Sequence, residues 1–423
     1  MTMIDINHIT KIEGHASLNL KIREGIVEKC ELRAVEGSRY FEGLLVGKNH
    51  NEASWISSRI CGICSCAHTI AAVSAIENAL GIQVTEQTNR LRKLFMLGER
   101  IRSHVTHLYF LVLPDYLGFE SALEMAPKYK NEVMCALKLM KVGNDIISLA
   151  QGRDLHPIST TPGGFLKLPN QEELDLIKKR LEEALPEAEI TFKLFSTLNY
   201  PKHDFPTQHL SLNSKQEYAM LRGEIITGNN HYQQKDYQSF IQEYHDSDNT
   251  ANFVVKEGKS YMVGALSRMN NNQAQLLPKS RELLAHANAT FPSSNPFHIN
   301  VAQAIELVHA IEECIQILSE QKIRQEKPVE CQIKACHGIA AVEVPRGTLW
   351  HEYKLNDQGE ITYANIITPT AQNLRNMQEV LQSYIPKLLG KDKEALVLEV
   401  EKLIRSYDPC FSCATHFLKV KFE

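Results

Sequence analysis

The hydrophobic pattern of this chain changes period several times, and each change marks an element. Residues 16–35 alternate apolar and polar positions, from Ala16-Ser17-Leu18-Asn19-Leu20-Lys21-Ile22 onward, with Arg23-Glu24-Gly25 between two runs. Period two on both sides of a glycine-containing turn predicts a β-hairpin. Just ahead, Lys11-Ile12-Glu13-Gly14-His15 carries a glycine that lets the backbone approach a neighbour closely. The pattern then becomes helical over 51–80, with Gly81 as C-cap, and again over 86–112. Residues 127–151 and 170–198 read as amphipathic helices, the second opened by Asn170 and Glu173 as a capping box. The irregular loop between them ends in Pro162-Gly163-Gly164. Without a flanking strand or a Gly-Lys-Ser/Thr, this reads as a packing turn rather than a phosphate loop. Residues 200–260 are polar and predict surface loops with short strands. A helix over 297–323 follows, then strands over 339–344, 348–355 and 361–367, the last two joined at Asn356-Asp357-Gln358-Gly359. Helices near 371–389 and 393–406 complete the pattern. With no repeat, low-complexity stretch or linker, residues 1–423 read as one domain with a loop-rich segment at 200–260.

Composition narrows the class. The chain has 423 residues, a formal net charge of −4 and 43% apolar residues, enough for a core that needs no metal staple. Its mild acidity gives no sign of a nucleic-acid or anionic-membrane partner. The best apolar run, 108–113, is cut by Pro114 and Asp115, so no membrane span is expected. The first residues lack the basic region and apolar core of a secretory signal. Ten cysteines in that setting read as thiols or metal ligands in a reducing compartment, the cytoplasm. Cys30, Cys66, Cys135, Cys314, Cys331 and Cys336 read as small hydrophobes. Cys331 with Cys336-His337 only imitates a metal cluster.

The other four cysteines form two Cys-x-x-Cys pairs near opposite ends: Arg59-Ile60-Cys61-Gly62-Ile63-Cys64, and Asp408-Pro409-Cys410-Phe411-Ser412-Cys413 followed by Ala414-Thr415-His416. Sulfurs at i and i+3 lie about a helical turn apart, so each pair can reach one metal. The pairs are expected to meet. Zinc knuckles close short loops and staple small folds. A self-supporting chain gathers thiolates for another purpose, so a catalytic or redox metal is the first reading and structural zinc the alternative. Four sulfurs suit zinc, iron, nickel or an iron–sulfur cluster. Cys61 and Cys64 fall early in the helix over 51–80, where Cys64 and His68 share a face. His104 and His107 also share a face. They read as hydrogen-bonded core histidines beneath a site, with a metal pair as the sharper alternative. Arg346, in Glu343-Val344-Pro345-Arg346-Gly347, and Asp408 are charges that need partners if buried.

Taken together, Arg-x-Cys-Gly-x-Cys and Asp-Pro-Cys-x-x-Cys-x-x-His resemble the large, catalytic subunit of nickel–iron hydrogenases. The segments 11–15 and 343–347, Phe41-Glu42, His68 and Thr368-Pro369-Thr370 add to the resemblance. Leu113-Pro114-Asp115-Tyr116 resembles the soluble, NAD(P)-linked branch that includes the sulfhydrogenases. The resemblance implies an α+β, mostly helical fold: a long-helix bundle around a buried metal site, with small peripheral sheets. It implies Cys61 and Cys410 as terminal thiolates on nickel, with Cys64 and Cys413 bridging to an iron that carries cyanide and carbon monoxide. H2 would split heterolytically, its proton passing to Cys410 and then Glu13. Without the resemblance, Glu13 reads as an ordinary ion-pair carboxylate.

The resemblance also implies Arg346 over the metals, paired with Asp115 and Asp408, and Pro369 and Thr370 around the diatomic ligands. Glu42, His416 and the carbonyl of Ile366 would bind magnesium. Lys11 stands where many relatives carry arginine. The implied partners are an iron–sulfur small subunit, a flavin/NAD(P) diaphorase module, nickel chaperones and a maturation endopeptidase. In this family that endopeptidase usually cuts after the final histidine, so residues 417–423 mark either an unprocessed precursor or a member that keeps its tail. The competing readings are a zinc-stabilised scaffold and a relative of the quinone-side subunit of respiratory complex I, a branch that has lost the nickel ligands.

Overall fold

Four long helices make the centre of the molecule: Glu86–Thr106, Lys130–Gln151, Gln171–Thr197 and Ile299–Glu320. Each packs along two of the others. These elements come from a computed structural model, which describes residues 2–246 and 249–415. The first two helices cross where both carry glycine. A Cβ on Gly143 would lie 2.7 Å from the Gly98 carbonyl oxygen, so a larger residue would force the backbones apart. Thr85 caps the first helix through the Thr88 N–H, and the Asn170/Glu173 capping box forms as expected. The buried apolar residues form one continuous cluster. Among the described residues, no helix is long and apolar enough to cross a membrane.

The strands form small antiparallel sheets. The hairpin Ala16–Arg23/Ile26–Ala34 gains a third strand, Thr2–Ile6. Cys336–Val344, Gly347–Leu355 and Ile361–Ile367 form a meander covered by the helix Ser65–Leu80. Its middle strand is buried almost throughout, so its sequence reads as a run rather than an alternation. Helices Pro369–Tyr384 and Lys393–Ser406 then deliver the last segment to the centre.

Three expectations change. The helix over 51–80 is broken: short helical turns occupy His50–Glu52, Ala53–Ser57 and Ser58–Ile60, and Cys61 is extended (φ −143°, ψ 136°) before the helix restarts at Ser65. Cys61 and Cys64 therefore lie in the break. The helix over 86–112 widens into π geometry at His107–Val112, just before Pro114, whose ring nitrogen cannot donate to the preceding turn. Finally, 200–260 does contain short strands, but Leu210, Ser211, Leu212, Tyr218 and Met220 are buried. Polar partners satisfy the burial: Asn271 and Asn272 both donate to the Ser211 hydroxyl.

Candidate metal centre

The break after Ile60 holds the first thiol pair. Cys64 is the N-cap of Ser65–Leu80 but makes no side-chain cap; its own N–H reaches Cys61 Sγ at 3.3 Å. The orphan N–H groups of that helix are taken by a carboxylate from another element. Glu99 accepts from Cys66 N (2.8 Å) and Ala67 N (3.1 Å). Arg102, one turn further along, donates to the carbonyls of Ile63 (2.6 Å) and Asp154 (2.8 Å). The loop is thus clamped from both sides by the helix Glu86–Thr106. Burial pushes the Glu99 carboxyl up to about 7.

The second pair is held by the start of the chain. Phe411 N donates to Glu13 O (3.0 Å), and Cys410 N donates to Thr370 Oγ1 (2.9 Å). Gly14 has φ +83°, and a Cβ there would lie 2.8 Å from Ser412 N, the close approach its glycine predicts.

The two pairs meet. The sulfurs of Cys61 and Cys410 are 3.7 Å apart, those of Cys410 and Cys413 2.8 Å. The ligand atoms of Cys61, Cys410 and Cys413 all lie within 4.8 Å of one another, and Cys64 shares a small pocket with Cys410 and Cys413. All four are buried, and all ten cysteines are free. Hydrogen bonds from Cys410, Cys413 and Cys64 hold the Cys61 thiol far below the usual range. Burial and its bonds to Cys413 and Cys61 push Cys410 up. One proton leaves such a cluster readily and the next does not, a balance that a bound cation reverses.

One guanidinium faces the sulfurs. Arg346 reaches Cys64 Sγ at 3.2 Å and clamps Asp408 twice, Nη2 to Oδ1 (2.8 Å) and Nε to the carbonyl (2.6 Å). Burial opposes its charge, but Asp408 and the thiols outweigh burial and hold it ionised. Glu13 Oε2 lies 2.7 Å from Cys410 Sγ, and burial, with the charge on Cys61, raises its pKa. Pro369 and Thr370 line the pocket with Thr368, His68 and Leu349. Four soft donors, a fixed cation and no oxygen ligand in the sulfur set fit thiolate-seeking metals such as nickel and iron.

Asp115 is placed differently from expectation. It bonds Arg405 (2.6 Å) and Lys11 (2.5 Å), not Arg346. It stands in the helix Leu113–Leu117, one layer away from the thiols, where Arg405 also donates to Thr10 O (2.8 Å). The trio therefore secures the segment that carries Glu13. His104 and His107 are core residues: His104 bonds Glu306 (2.7 Å), and His107 lies 2.6 Å from both Gln303 Oε1 and Arg405 O. Burial lowers His104 to about 4. His68 meets His351 (3.1 Å), which meets the Tyr353 hydroxyl (2.7 Å). Glu42 and Ile366 come together, with Ile366 N donating to Glu42 Oε1 (2.8 Å). His416 lies outside the described residues. His337 pairs with Glu352 (2.6 Å), and among the described residues no metal-ligating cluster forms around Cys331 and Cys336.

Sequence reasoning missed Glu99, Arg102 and Arg268. Arg268 bonds Glu306 (2.6 and 2.7 Å), Glu343 (2.9 Å) and the carbonyls of Val344 (2.8 Å) and Pro345 (2.9 Å). It fixes the turn that carries Arg346. A signal existed: Glu306 interrupts the apolar run 304–308 and, once buried, demands a cation.

Comparison with known proteins returns one family. The family model described as nickel-dependent hydrogenase matches residues 39–183 and 257–416. Sulfhydrogenase 1 subunit alpha of Pyrococcus furiosus is 37% identical over 422 residues, 99% of this chain and 98% of that protein. The NAD-reducing hydrogenase HoxS subunit beta of Cupriavidus necator is 28% identical over 98% of this chain and 94% of its own length. A crystal structure of an NAD+-reducing [NiFe]-hydrogenase in the H2-reduced state superposes with a TM-score of 0.87 at 24% identity, covering 98% of this chain and 100% of the other. That likeness establishes the fold, as the resemblance implied.

Proposed function

Because the chain belongs to the nickel-dependent hydrogenase family and is the catalytic large subunit of a nickel–iron hydrogenase, we propose that Cys61, Cys64, Cys410 and Cys413 hold its metal centre. The observation that carries this reading is the convergence of four buried thiols, from positions 349 residues apart, beside a carboxyl and a guanidinium. When bound, the nickel–iron centre supplies the Lewis acidity and redox capacity for heterolytic H2 cleavage and formation.

The chain's own residues move the proton and set the field. Cys410 Sγ accepts a proton and hands it to Glu13 Oε2 across a 2.7 Å contact. A raised carboxyl pKa suits that relay, because a shuttle works best when it titrates near the working pH. Arg346, locked by Asp408, holds a positive charge against the sulfurs and stabilises negative charge that develops there. Asp115 acts through Arg405 and Lys11, keeping Glu13 in register. Pro369 and Thr370 wall the pocket for the iron's diatomic ligands. Glu42, the Ile366 carbonyl and His416 would hold a magnesium ion of structural role.

Electrons leave through a partner chain. Among the described residues, no second metal-ligating cluster follows the first, so the implied acceptor is an iron–sulfur small subunit. A flavin/NAD(P) module lies beyond it in this reading, and the relative named as NAD-reducing supports the NAD link. The remaining readings are nickel chaperones and an endopeptidase acting after His416 during assembly, and a cytoplasmic location.

Infrared spectroscopy with metal analysis of the purified protein tests the proposal. Nickel and iron in near-equal amounts with cyanide and carbon monoxide bands are expected. Zinc alone without such bands would make the chain a scaffold.

A further inference from the structure

Arg39 precedes the short helix Phe41–Leu45 in a stretch without regular structure. Its Nη2 carries two hydrogens and directs one to each thiol loop. It donates to the carbonyl of Ile60 (2.7 Å), the residue before Cys61, and to that of Ser412, the residue before Cys413. The Arg39 N–H adds a bond to the Thr415 carbonyl (2.8 Å). Glu36, three residues earlier, accepts from the Ser412 hydroxyl (3.1 Å), so one stretch holds the closing segment at several points. The guanidinium lies over the Phe41 ring, 5.5 Å from its centroid, within cation–π range. Its Nε is buried and, among the described residues, has no partner. The group is thus oriented for the two carbonyls rather than for its own Nε.

Arg346 also touches both loops, but through Cys64 Sγ and Asp408. One of those contacts is to a sulfur, an atom the metal would take. Arg39 grips backbone carbonyls, which stay available whether or not the site is loaded. Resting on the metal-centre reading above, we propose that Arg39 is a positioning residue. It sets the separation of the two Cys-x-x-Cys pairs through their backbones, so that all four sulfurs face one ion before any ion arrives. A guanidinium suits the task, since it is planar, rigid and always charged, and a charged donor makes the stronger bond. Ligands already held in their bound arrangement lose less freedom on binding.

Cobalt(II) titrated anaerobically into the metal-free large subunit reads this arrangement, because sulfur-to-cobalt charge-transfer absorption grows with the number of thiolates bound. Wild type is compared with Arg39→Met, which keeps a stem and removes the donors. The double variant Cys410→Ala/Cys413→Ala reports the first pair alone. Wild type should show the stronger, four-thiolate absorption. Arg39→Met should bind cobalt about 10- to 100-fold more weakly, the usual cost of losing a group that holds metal ligands in place. Its absorption should fall toward that of the double variant, and its amide hydrogen exchange should rise at 60–64 and 410–415 only. Wild-type affinity and absorption in Arg39→Met overturn the proposal. So does exchange raised throughout the chain, which would make Arg39 a general structural group. Wild-type absorption no stronger than that of the double variant overturns the metal-centre reading itself.

Discussion

Glu13 and Cys410 are 397 residues apart in sequence and joined twice in space. The carboxylate oxygen lies 2.7 Å from the thiol sulfur, and the backbone of Glu13 pairs with that of Cys410 as an isolated parallel bridge. The backbone link fixes the side-chain contact, so the carboxyl cannot drift from the sulfur without opening that bridge. Its other neighbours act the same way. Asp115, Arg405 and Lys11 hold the residues just before it, and Ser412 packs on Gly14 just after it.

Glu13→Gln keeps size and backbone pairing but cannot relay a proton. H2 oxidation should fall about 10²- to 10⁴-fold, the usual contribution of a positioned acid–base group. The cyanide and carbon monoxide bands should persist. Near-wild-type turnover would remove Glu13 from the proton path.

Cys410→Ser replaces a soft donor with a hard one in a buried site. Hydrogenase activity should be abolished and nickel content should drop, while the far-ultraviolet circular dichroism stays native, because the helical core does not depend on this side chain. Retained activity would defeat the assignment.

Arg346→Lys and Asp408→Ala probe the same clamp from its two sides. Lysine keeps the charge but loses the double contact with Asp408, so activity should fall while Tm changes little. Asp408→Ala leaves a buried guanidinium without its carboxylate and should destabilise the fold by about 3–5 kcal/mol. Denaturant unfolding of both variants decides this, and equal stability would show the pair is not coupled.

Glu99 gives the metal-free chain a pH signature. Its carboxyl is raised from 4.5 to about 7, chiefly by burial. A group whose folded pKa is raised contributes stability that is complete below about 4.5 and is lost as pH rises through about 7. Wild type minus Glu99→Gln should therefore decline by about 3 kcal/mol across that window. Parallel pH curves for the two proteins would mean that Glu99 is ionised throughout.

Much of this was legible because it is written in local pattern. The hairpin at Ala16–Arg23, the Asn170 capping box and the three-stranded meander follow from period and turn residues alone. The convergence of the thiols was legible through chemistry, since four soft donors have little use apart. What the pattern hid is set by partners distant in sequence. The break between Ile60 and Ser65 depends on Glu99, a carboxylate from the next helix that no local rule connects to Cys66. Asp115 looks like a partner for any arginine, and only packing assigns it to Arg405 rather than Arg346. Arg268 lies in a stretch whose period says little, and its importance follows from Glu306 and Glu343 closing on it from two other elements.

The parallel bridge at Glu13 also has a temporal meaning. Cys61 and Cys410 are separated by 349 residues, so at ribosomal speeds the first thiol pair waits roughly 20–70 s for the second to be made. During that interval a nascent chain offers only half of a coordination sphere, open to any adventitious ion. All four thiols therefore coexist only once the closing segment has been made, and that segment is the latch that ends the waiting.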